Sequence, residues 1–290
     1  MFSNTIQESQ YRTYLLTDHT AQSHVSIVPE RGGIVTSWQV NGQELFYLDQ
    51  ERFTNPNLSV RGGNPILFPI CGNLVNNRYT IDDQSYTLKQ HGFARDLPWT
   101  VEQSVVNQHA SLTLTLSSDD QTRLGFPFDF HLAFTYTLIA DQLEIHQRFT
   151  NHSPVPMPFS IGFHPYFKVG DKTQLRFEIP SQEYYDHRQG TVNPYGGEFD
   201  WTAPELDFAF HKLSGSVAKV HDPHRALTLT ITTDAPYGTL VFWTVKDKDF
   251  VCLEPWTAGR NALNTKENLI YVEPDTSWHT WVRFEAKFSG

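Results

Sequence analysis

Ser111-Leu112-Thr113-Leu114-Thr115-Leu116 places a leucine at every second position and a hydroxyl side chain at the positions between. Successive side chains of a strand point to opposite faces, so this run has one apolar and one polar face. Ala226–Thr232, which reads ALTLTIT, repeats the pattern. Ile34–Val40, then Asn41-Gly42, then Gln43–Leu48 signals a hairpin, because Asn-Gly supplies the two positive φ angles of a tight turn. Tyr79–Ile81, Asp82-Asp83-Gln84 and Ser85–Leu88 read as a second hairpin. Leu143–Phe149, Gly238–Val245, Phe250–Leu253 and Trp281–Phe284 add further strands. No amphipathic helix of three or more turns is expected, and a single short helix is placed near Pro204–Phe210. The fold class that follows is all-β: one domain over residues 1–290 made of two packed antiparallel sheets. Two smaller β domains meeting near Asn151–Pro158 are the alternative.

Composition narrows the functions. Acidic residues outnumber basic ones 32 to 22, and no basic run occurs, so neither nucleic acid nor an anionic membrane is an expected partner. A small anion stays possible, because two or three local arginines outweigh distant charge within a screening length of about 10 Å. Aromatic residues make up 14% of the chain, which suits strands and sugar stacking. Cys71 and Cys252 alone cannot make a disulfide framework. The start MFSNTIQESQYRTYLL has no basic segment followed by an apolar core, so a cytoplasmic protein is expected.

Four stretches could carry chemistry. Arg61 precedes Gly62-Gly63 in SVRGGNPILFP, where the glycines allow a close backbone approach and the guanidinium a forked contact. His91 and Arg95 lie in QHGFAR, with Gly92 suggesting a bend. In SIGFHPYF, alternation puts Gly162, His164 and Tyr166 on one face and Phe163 and Phe167 on the other, a plausible pocket floor. In FVCLEPWT, Glu254 ends an apolar strand and shares a face with Cys252. A carboxylate there either pairs, with Arg260 the candidate, or lines a cleft with a raised pKa suited to a general base. A buried histidine held by backbone is the plain alternative for His91 and His164, and a solvated charge for Arg95. His221-Asp222-Pro223-His224 lacks further ligands, so no metal site is expected. Phosphate loops and nucleophile elbows are missing from the sequence.

In this order, RGGNPILFP, HGFAR, GFHPYF, ELDF and LEPWTAGRNAL resemble the aldose 1-epimerase (galactose mutarotase) family. The resemblance runs from the PERGG turn at Pro29–Gly33 to the strand Trp278–Phe284. It implies a large antiparallel supersandwich with an open sugar cleft, and ring opening and closure at an anomeric carbon without a cofactor. It also implies Glu254 as base toward the C1 hydroxyl and His164 as acid toward the ring oxygen. An imidazole with an ordinary pKa is expected to be protonated at working pH for that role. The resemblance further implies His91 as the second histidine, and Arg61 and Asp207 as sugar-binding groups, with Asp186 and Asp200 as alternative carboxylates. Tyr166 and Trp256 are candidate substrate-binding rings, and Arg95 joins Arg61 as a possible phosphate clamp. RGG and HGFAR are shared with the hexose-6-phosphate 1-epimerase branch. His164-Pro165, and Ile70–Leu74 where that branch has a Trp-rich stretch, point to free sugars. The expected substrate is therefore a free hexose, with a hexose 6-phosphate, or sugar binding without catalysis, as alternatives. A monomer or homodimer is expected.

Overall fold

The SLTLTL run lies inside the strand Ala110–Ser117, and its leucines are buried as the alternation requires. The structure is a computed structural model, and it describes residues 1–289. Ala110–Ser117 belongs to an eight-stranded antiparallel sheet. Its spatial order is Arg176–Glu178, Val217–Asp222, Leu227–Thr233, Ser277–Phe288, Gln142–Asn151, Phe130–Ile139, Ala110–Ser117 and Thr100–Val106. A second large sheet runs Thr191–Pro194, Glu183–Asp186, Glu205–Phe210, Thr239–Val245, Phe250–Trp256, Gly162–Phe163 and Ile66–Leu67. Tyr166–Lys168 pairs with Phe250–Trp256 as its eighth strand. A five-stranded meander, Phe2–Gln7 through Gln43–Glu44, supplies a further layer.

The core between these layers is built of rings. Phe68 is fully buried and meets Phe93, Phe126, Phe130, Phe149 and Phe159 at centroid separations of 5.4 to 6.0 Å. Such tilted and edge-on contacts add to the burial of large apolar area. Pairing crosses the Asn151–Pro158 segment, with Gln142–Asn151 paired to Ser277–Phe288 and Gly162 to Leu67. No described helix is long and apolar enough to cross a membrane.

Both hairpins form where the sequence places them. Asn41 and Gly42 have φ of 52° and 72°, and the turn between Arg78–Ile81 and Gln84–Thr87 uses Asp82 and Asp83 at 47° and 63°. Gln84 is thus a strand residue paired with Ile81 rather than part of the turn. The return strand of the first hairpin lasts only Gln43–Glu44. The helix expected near Pro204–Phe210 is instead the strand Glu205–Phe210. ELDFAF alternates with period two, and its Leu206, Phe208 and Phe210 are buried, so packing on a sheet decided the conformation.

Candidate active site

Register assembles the site floor. Across four adjacent strands Asp207 faces Trp243, Trp243 faces Cys252, and Cys252 faces Tyr166. In the next row Ala209 faces Val241 and Val241 faces Glu254. Directly opposed residues of antiparallel strands share a face, so all of these point the same way. The other face, Leu206, Phe208, Phe242, Val251 and Leu253, goes into the core. One apolar strand can therefore carry Glu254 because its two faces look into different surroundings.

His164 sits between two short strands, with its N–H donated to Pro65 O at 3.1 Å. Its ring stacks on Tyr166 at 4.6 Å and 9°, the shared face that alternation predicts. Phe163 and Phe167 pack into the core on the opposite side. The gap at Gly162 is not open: a Cβ there would strike Trp256 and Cys71. His91 has φ of 66° and Gly92 69°, so the bend is real. The His91 Nδ1 accepts the Gly72 N–H at 3.0 Å, which leaves the neutral ring's proton on Nε2.

These groups meet around one hollow of about 400 Å³. His164 Nε2 and Glu254 Oε1 are 3.3 Å apart, and the His91 ring lies 5.6 Å from that of His164. Arg61, Arg95, Asp207, Tyr166 and Trp256 also line it. Tyr166 and Trp256 are only 5% and 1% exposed, so they serve as walls rather than as open stacking platforms. The glycines after Arg61 admit not a ligand but the chain itself: a Cβ on Gly62 would strike Leu48 and Tyr47, and one on Gly63 would strike Val35. Arg260 pairs with Asp207 through Nη2, at 2.9 and 2.7 Å to its two oxygens, rather than with Glu254. Asp186 and Asp200 lie outside the hollow; the former caps a turn through the N–H groups of Arg188 and Gln189, the latter bonds Thr202. Sequence reading did not assign Arg52, Trp243 or Glu205, which also line the hollow: Arg52 comes from the short helix Gln50–Thr54 and Trp243 from a strand, both without a motif, and Glu205 was passed over beside Asp207 in ELDF. A larger open hollow of about 740 Å³ adjoins through Arg260 but contains none of Glu254, His164 and His91.

Burial sets the electrostatics. It raises Glu254 well above the ordinary carboxylate range, with nearby Asp207 adding to the shift. Burial, then Arg95, lowers His164 to about 3, and burial also lowers His91 well below its ordinary value. The resting imidazoles are thus neutral at neutral pH, in contrast to the protonated imidazole expected for the acid. Metal-ligating atoms of His164, Cys252 and Glu254 lie within 4.8 Å of one another. The arginines of the hollow oppose a cation there, and the thiol of Cys252 is held in its neutral form by burial.

The family model described as aldose 1-epimerase matches residues 12–285. The chain belongs to the aldose 1-epimerase family. As a member it is an isomerase of the carbohydrate-epimerase class, on the mutarotase-like sandwich that its neighbours share. This epimerase-family chain is 29% identical over 255 residues to a Cenchrus ciliaris protein named "Putative glucose-6-phosphate 1-epimerase", covering 84% of this chain and 72% of that one. Slr1438 from Synechocystis sp. PCC 6803 has a crystal structure 46% identical in sequence, with a TM-score of 0.95 and full coverage of both chains. A galactose mutarotase-like protein from Clostridium acetobutylicum, 19% identical, superposes with a TM-score of 0.82 over 99% of each chain and shares the fold.

Proposed function

We propose that this protein interconverts the α and β anomers of an aldohexose. The observation that carries the reading is the buried contact between Glu254 and His164, which face one sugar-sized hollow at 3.3 Å. With O1 and the ring oxygen of a pyranose against this pair, Glu254 takes the O1 proton. The C1–O5 bond breaks with its electrons leaving on O5, and His164 protonates O5. The open-chain aldehyde turns about C1–C2 and recloses by the reverse transfers, so atoms and electrons balance without redox change. His91 donates from Nε2 toward the ring oxygen.

The pair needs one proton. Glu254 protonated beside neutral His164 holds as many protons as carboxylate beside imidazolium. Burial favours the uncharged form at rest. Charge developing on the sugar oxygens favours the charged form as the ring opens.

Among substrates, a hexose 6-phosphate fits better than the free hexose. Four arginines, Arg52, Arg61, Arg95 and Arg260, line the hollow, and only Arg260 is tied to a carboxylate of the hollow. A forked guanidinium suits phosphate. The printed name of the Cenchrus ciliaris relative agrees with this reading. Exchange NMR on glucose and glucose 6-phosphate tests both parts. Wild-type protein accelerates anomer exchange and prefers the phosphorylated sugar, and Glu254→Gln removes the acceleration while still binding. Sugar binding without exchange in the wild type would instead mark a non-catalytic module.

A further inference from the structure

None of the residues of the PERGG turn lines the hollow, yet the turn contacts both segments that bring arginines without a carboxylate partner to it. Arg31, 7% exposed, spends its guanidinium on backbone carbonyls. Nε donates to Phe53 O at 3.2 Å, and Nη2 to Arg52 O, Asn55 O and Leu58 O at 3.3, 2.8 and 2.6 Å. Two of these carbonyls end the short helix Gln50–Thr54, where a cation satisfies otherwise unpaired acceptors. All four belong to the excursion between Asp49 and Arg61, whose base is closed by Asp49 N–H donating to Arg61 O at 2.9 Å. That excursion carries Arg52 and Arg61, and Arg52 Nε is itself fixed on Ser59 O at 3.0 Å.

The next residue seats the other segment. Gly32 has φ of 81°, and a Cβ on it would fall on the backbone of Arg95. Trp99 N–H, four residues beyond Arg95, donates to Pro29 O at 2.9 Å. Gly33 O accepts the hydroxyl of buried Tyr136 at 2.8 Å, which pins the turn to the strand Phe130–Ile139.

We propose that Arg31 is a positioning residue for anion selectivity: through the Pro29–Gly33 turn it holds the Arg61 loop in register with Arg95, so that the two guanidinium groups converge on one phosphate. This rests on the anion reading of the hollow given above. A neutral hexose leans on Glu254, His164 and His91, which the turn does not touch, so its turnover is independent of Arg31.

The test uses Arg31→Met, which keeps the stem, and Arg31→Lys, which keeps the charge with fewer donors and guards against loss of folding. Wild type and both variants are assayed with glucose, with glucose 6-phosphate, and with inorganic phosphate as inhibitor of glucose exchange. The expected result for Arg31→Met is a KM for glucose 6-phosphate raised about tenfold with kcat within about twofold, and glucose kinetics nearly unchanged. Arg31→Lys falls between it and wild type, and phosphate inhibition weakens in the same order. Equal losses on both sugars, or unchanged phosphate inhibition in both variants, overturn the proposal alone. Wild-type protein that phosphate does not inhibit overturns the anion reading and this inference together.

Discussion

The indole N–H of Trp256 donates to Oε2 of Glu254 at 3.2 Å, two residues along the same strand, while Oε1 of that carboxyl faces His164. The proposed base thus has one oxygen fixed by the protein, while the other faces His164. Trp256 is 1% exposed, so the bond is shielded from water. Donation to the carboxylate favours its charged form and opposes the upward shift that burial imposes.

Replacing Trp256 with Phe removes that donor and keeps an aromatic ring. Glu254 then holds its proton to still higher pH, so the alkaline limb of the pH–rate profile moves up. A kcat loss of about tenfold accompanies it, because the carboxyl is free to turn. Exchange NMR across pH reads both, and an unmoved alkaline limb would count against the assignment of Trp256 as the group that holds the base.

The wild-type profile follows from the shared proton. At high pH the pair loses its last proton, and the limb lies above the ordinary carboxylate range because Glu254 is raised. At low pH the pair gains a second proton on His164, which takes it up only at about 3. Initial rates at saturating sugar should therefore hold well below pH 6.5. A sharp loss centred near 6.5 would mean that an unshifted imidazole controls the chemistry. The two limbs describe the pair rather than either residue alone.

The same burial makes the fold sensitive to acid. His164 titrates at about 3 when folded and at its ordinary 6.5 when unfolded. Between these values the unfolded chain binds the extra proton, so stability falls as pH drops through that window. His91 and His187, the latter lowered to about 4, have the same sign. Glu254 and Asp141 have the opposite sign, since their folded forms keep a proton to higher pH, but with His131 and His211 also lowered they are two carboxyls against five imidazoles. Calorimetry should give a lower melting temperature at pH 4.5 than at pH 7, and a flat dependence would contradict these shifts.

Arg95→Ala tests the anion end of the hollow. Loss of a charge-assisted contact of about 1.5–3 kcal/mol raises the KM for glucose 6-phosphate by about ten- to a hundredfold. Glucose kcat changes much less, because Glu254 and His164 keep their places, although both titrate higher once Arg95 is gone. Parallel loss on both sugars would show that Arg95 supports the site generally.

Phe68→Ala tests the ring cluster under the site. A fully buried Phe replaced by Ala costs about 3–5 kcal/mol, the more so where five rings cannot collapse into the space. An unfolding free energy from urea titration lowered by less than about 1 kcal/mol would show that the neighbours repack.

Much of this was legible along the chain because strands and turns are local. Alternation located Ala110–Ser117, Leu227–Thr233 and the shared face of His164 and Tyr166. Asn41-Gly42 located its turn through the φ angles it must adopt. Pro204–Phe210 is where the expectation and the structure part, because seven residues with mixed polarity suit a short helix or a strand, and only the neighbour Thr239–Val245 selects between them.

The sequence by itself determined the all-β class and, through an ordered set of motifs, the family and the residues proposed to react. Only the tertiary structure decided what surrounds them. Register across four strands put Asp207 near Glu254 and gave it Arg260, a pairing invisible in a chain where the two are far apart. Burial then raised the carboxyl of Glu254 and lowered the imidazole of His164, because desolvation acts on charge only once the fold has removed the water.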